Sequence, residues 1–173
     1  MTTELWLLWM VLMMGLAALG GMGGYWLYSR RGNDDVESFV AYALPDYTDR
    51  AGFRVDTYPD DEILIPERFW LVNNDTAAIE YNVVPDNAVT LRVAKTGLLR
   101  IPEEFLDHDY ESEDEFLIDD IRVTKQQSAG RYAMLSWQRG EFDYVLLAEN
   151  PEMNLIGGVS TNFVRGTSAS RSR

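Results

Sequence analysis

Residues 5–28 read LWLLWMVLMMGLAALGGMGGYWLY, 24 positions without one ionisable side chain. As a helix this stretch is about 36 Å long, against about 30 Å of bilayer hydrocarbon, so it predicts one tilted membrane crossing. A helix of a soluble domain keeps a polar face, and this one has none. Trp6 and Trp9 lie near one end and Tyr25, Trp26 and Tyr28 near the other, where rings with one polar edge sit at the two water interfaces. Arg30 and Arg31 close the segment. A cleaved signal would start with basic residues and carry an apolar core of about 7–15 residues. This chain opens Met-Thr-Thr-Glu and stays apolar through Tyr28, so a retained anchor is expected.

Within the anchor, Gly20 and Gly24 are four apart, as are Ala17 and Gly21. One helix face is therefore nearly bare backbone, the spacing that lets two membrane helices approach closely. It suits a homodimer through the anchor or packing into a larger complex. The two arginines favour a cytoplasmic carboxyl side.

The expected organisation is a short tail at 1–4, the transmembrane helix at 5–28, a linker at 29–32, an acidic domain at 33–164 and a disordered Ser- and Arg-rich tail at 165–173. That domain holds 27 Asp and Glu against 10 Lys and Arg, a formal charge of −17. Such a surface repels nucleic-acid phosphates and anionic head groups, and it suits a basic partner. There is no cysteine, which excludes disulfides, thiolate catalysis and cysteine metal sites.

Along the domain, Asn33 can cap a helix whose apolar positions are Val36, Phe39, Val40, Ala43 and Leu44, ended by Pro45. From Phe53 the period changes to two. Ile79, Tyr81 and Val83 alternate with polar residues, Pro85-Asp86-Asn87 turns, and Val89, Leu91 and Val93 alternate again, which predicts an antiparallel hairpin with one wet face. The periodicity lapses between 95 and 117, so the acidic run at 107–115 is expected to be a solvated mobile loop. It fails as a helix-loop-helix calcium site, because Ser112 and Ile118 stand where glycine and a bidentate glutamate are required. A second β block follows: a strand opened by Ile121 and Val123, a polar turn at 126–130, then two strands flanking Gln138-Arg139-Gly140-Glu141. Asn150-Pro151 resembles a helix start leading to Met153, Ile156, Val159 and Phe163, weakened by Gly157 and Gly158. The fold class is therefore α+β: an N-terminal transmembrane helix and one antiparallel sheet of six or seven strands with flanking helices.

Ala51-Gly52-Phe53, Ala78-Ile79-Glu80-Tyr81, Leu91-Arg92-Val93-Ala94-Lys95 and Ala133-Met134-Leu135-Ser136-Trp137 with Gly140 and Tyr144 resemble an uncharacterised bacterial domain family over roughly residues 49–153. Its members are extracytoplasmic parts of membrane-anchored proteins, some of them anti-sigma-factor-like. The resemblance implies an antiparallel sheet with flanking helices outside the cytoplasm. With four residues ahead of the anchor, no amino-terminal sigma-binding domain is expected.

Chemistry is sparse. His108 is the single histidine, so a metal would need an all-carboxylate site, and a Ser-His-Asp arrangement would have to use His108 itself. Asp119 with Asp120, or Glu103 with Glu104, are the carboxylate pairs that a hydrolase would draw on. Trp70, Trp137, Phe142 and Tyr144 are expected to be sheet core and aromatic rim, and Asn74-Asp75-Thr76 fits the glycosylation pattern. The expected function is a membrane-anchored, non-catalytic binding or sensing domain without cofactor or nucleic acid, leaning extracytoplasmic. Its partners are the lipid bilayer and a protein. The alternatives are an accessory subunit held by its glycine-rich anchor and, third, a carboxylate-dependent hydrolase.

Overall fold

The computed structural model describes residues 37–83, 87–149, 151 and 155–172. The chain divides into two compact units, Met1–Glu37 and Ser38–Arg173, and the second is described below. The expected anchor, with Ala17, Gly20, Gly21 and Gly24 and with Trp6, Trp9, Tyr25, Trp26, Tyr28, Arg30 and Arg31, lies outside the described residues. Among the described residues no helix is long and apolar enough to cross a membrane.

The period-two segments become strands, and the unit is richer in β structure than the α+β expectation. In chain order they are β1 (Phe39–Tyr42), β2 (Phe53–Thr57), β3 (Leu64–Val72), β4 (Thr76–Val83) and β5 (Asn87–Lys95). Then come the single-turn helix α1 (Glu103–Leu106), β6 (Ser112–Ile118), β7 (Ile121–Ser128), β8 (Tyr132–Arg139), β9 (Phe142–Glu149), α2 (Leu155–Gly166) and β10 (Ser168–Arg171). Eight strands form one antiparallel sheet in the order β1-β3-β4-β5-β9-β8-β7-β6, and β10 pairs with β2 in a second ribbon. The six or seven strands expected are thus ten among the described residues. The predicted hairpin is present, with Ile79 opposite Leu91 and Tyr81 opposite Val89, as is the β8–β9 pair.

One face of the large sheet carries the main core. Leu71, Ile79, Tyr81, Leu91, Val93, Leu135, Tyr144 and Leu146 are buried there with Ile156, Val159, Phe163 and Val164 of α2 and Phe53 and Val55 of β2. In α2 these positions recur at helical spacing, so a single stripe is apolar, while Gly157 and Gly158 stay exposed. Arg139 at the end of β8 holds the far end of this helix. Its guanidinium donates to the carbonyls of Val164 and Thr167, both at 2.7 Å, which satisfies terminal carbonyls and complements the negative end of the helix dipole.

Four expectations are corrected. The first is the amphipathic helix over 36–44, which from Phe39 is strand β1: Val40 and Tyr42 pack on the core while Phe39 and Ala41 face out. Residues 33–36 lie outside the described set. The helical spacing of apolar residues there also satisfies alternation, and pairing with β3 decides between the two. Second, the tail expected to be disordered at 165–173 is ordered over 165–172, the part that lies among the described residues. It ends α2 and forms β10, opposite Arg54, Val55 and Thr57, because β2 offers an edge and Phe53 and Val55 need a cover.

Third, the acidic run at 107–115 is not the mobile loop expected, since Ser112–Glu115 belong to strand β6, and residues 98–111 ahead of it are ordered too. They cross the outer face of the sheet as a strap, and the acidic run passes into edge strand β6, paired with β7. Phe105 of α1 buries against Met134, Val145 and Leu147, with Leu99, Ile101, Tyr110 and Tyr132 around it. On the β4–β5 hairpin, Ala78, Arg92 and Ala94 of the expected wet face are buried as well. Fourth, the polar turn at 126–130 is shorter: β7 runs through Ser128, and Gly130 turns the chain at φ 66°.

Candidate functional site

The strap covers the outer face as far as β4, where Thr76 donates to the Leu98 carbonyl and accepts the Arg100 N–H and Ala78 is buried. The more open part lies at the β1–β3 edge, where backbone register puts Ala41 opposite Trp70. Phe39 is 52% exposed and meets Trp70 edge to face at 6.3 Å between ring centroids. The Trp70 indole N–H donates to Glu80 Oε1 at 3.0 Å, and the other carboxylate oxygen pairs with Arg68 Nε at 2.6 Å. Trp70 is thereby held in one orientation by a charged group that is itself anchored, with Ile65 exposed beyond it on the same face.

The bulge between Pro66 and Arg68 contributes to this geometry. Proline cannot donate to a ladder, so a strand keeps it at an irregularity, and here the extra residue Glu67 sets Arg68 opposite Glu80. The result is an aromatic pair flanked by one cation and one anion on a rigid sheet. Such a surface presents flat apolar area together with oriented charge, the combination that interfaces concentrate.

β1 is also an edge strand. Ser38 O accepts the Asn73 N–H at 2.9 Å, so Ser38 is a bonded position of the β1–β3 ladder. Antiparallel bonding alternates, which turns the N–H and C=O of Phe39 and Ala41 toward the open side.

The side chains singled out for chemistry are brought together differently. His108 Nε2 and Ser128 Oγ lie 2.8 Å apart, a contact that joins the strap to β7. The hydroxyl also accepts the Glu111 N–H at 3.2 Å, and the ring sits edge-on to Tyr110 and Tyr132. Ser128 is 1% exposed, and among the described residues His108 bonds no carboxylate. This pair has the reach of a nucleophile and its base but sits under the strap, where it works as a clasp.

Asp119 and Asp120 form the β6–β7 turn. Asp119 adopts φ 53° and takes both Nε and Nη2 of Arg165, at 3.0 and 2.7 Å, and that guanidinium holds its carboxyl below the usual range. Asp46 and Asp61 are also lowered, by hydrogen bonds from Thr48 and from the Leu64 and Ile63 amides respectively. Glu103 and Glu104 stand exposed in the first turn of α1. Among the described residues no group of three acidic or histidine side chains is arranged to hold a metal.

Of the four aromatics, Trp137 stacks on Tyr144 at 5.3 Å with rings 7° apart, and Phe142 packs on Phe53 at 5.4 Å, all in the inner core. Trp70 alone faces outward, toward the more open part. Two of the segments that carry the resemblance are joined away from this face. Gly52 turns at φ 69°, and Lys95 Nζ donates to Ala51 O at 2.8 Å, tying the β2 entry to the end of β5. Sequence reasoning missed Phe39 and Ala41 as edge residues; the run Phe39-Val40-Ala41-Tyr42, aromatic and β-branched, was the available signal. No family model matches the chain, and no curated protein or solved structure matches it either.

Proposed function

We propose that this chain is a single-pass, membrane-anchored, non-catalytic binding or sensing domain carried outside the cytoplasm, and that it contacts a protein partner through the open outer face around Phe39 and Trp70. The observation that carries this reading is the Phe39–Trp70 pair: an exposed Phe39 ring set against a half-buried Trp70 whose indole is fixed by the Glu80 and Arg68 side chains. Support for the anchor is the uncharged stretch at 5–28. Among the described residues, the carboxylates that are displaced from their ordinary range move down and are hydrogen-bonded, opposite to what a general acid needs.

The test is site-specific photocrosslinking in intact cells, with benzoylphenylalanine at position 39 and, as control, at the exposed Leu117 of the far edge. A discrete protein adduct from 39 and none from 117 is expected, in the membrane fraction pelleted without detergent. Equal labelling from both positions, or recovery of the full chain in the supernatant, would overturn the reading.

A further inference from the structure

We draw no further inference here: the strongest candidate, the open edge of strand β1 beside the exposed Phe39 ring, carries none, because nothing in the structure shows what covers it.

Discussion

At the residue scale, backbone conformation and burial separate positions that composition treats alike. Gly52 and Gly140 turn the chain at φ 69° and 62°, where a side chain is strained. Gly157 and Gly158 are ordinary helical positions, and a Cβ added at either meets nothing within 4 Å. Their flexibility benefits only the unfolded chain. Gly158→Ala is therefore expected to raise stability by about 0.5–1 kcal/mol, read as a higher urea midpoint at unchanged slope. A loss of stability would mean that this face of α2 is occupied. The His108–Ser128 pair shows a converse case: the residue types of a catalytic dyad meet at hydrogen-bond distance, and burial of the hydroxyl assigns them to fastening the strap.

At the element scale, the short pieces are stabilised by what they cover. β10 is four residues long and could not stand alone, yet it pairs with β2, bonds Thr57 through Ser168 and brings Arg171 to Glu141. A chain ending at Gly166 loses this strand and uncovers Val55 with its partly buried partner Ala169. Removing a disordered tail would leave stability unchanged. Removing β10 is expected to cost about 2–4 kcal/mol, the scale of opening one well-packed core site, and to lower the thermal midpoint measurably. A midpoint equal to that of the full chain would show that the ribbon contributes nothing. α1 follows the same logic: one turn of helix persists because Phe105 fills the outer cluster with Met134, Val145 and Leu147.

At the scale of the whole molecule, charge and topology dominate. The unit Ser38–Arg173 holds 24 Asp and Glu against 13 Lys and Arg, a formal charge of −11, and its ion pairs, such as Arg165 with Asp119, are solvent-exposed and individually worth little. Salt weakens both the general repulsion and those pairs, and the repulsion is the larger quantity. Thermal midpoints are accordingly expected to rise by a few degrees between about 0.01 and 0.5 M sodium chloride, as the screening length falls from about 30 Å to a few ångströms. A falling midpoint would mean that the exposed pairs outweigh the net charge.

The segments 76–83 and 87–95 were legible as a hairpin from alternation about a turn, and 132–139 and 142–149 from apolar runs flanking the tight connection at Gly140. The buried stripe Ile156, Val159 and Phe163 was legible as a helix for the corresponding reason at period 3.6. The acidic surface and the absence of thiol chemistry also followed from residue types alone. Three assignments belonged to tertiary structure. Residues 39–42 carry apolar positions compatible with either period, and hydrogen bonds from β3 chose the strand. The polar tail and the strap lack a period of their own; the open edge of β2 and the outer face of β8 and β9 ordered them. The candidate surface around Phe39 and Trp70 was hidden for the same reason, since a face is open only by virtue of what the rest of the chain leaves uncovered. Local sequence determines which side chains share a face, whereas the free energy that decides which faces are paired comes from residues far away along the chain.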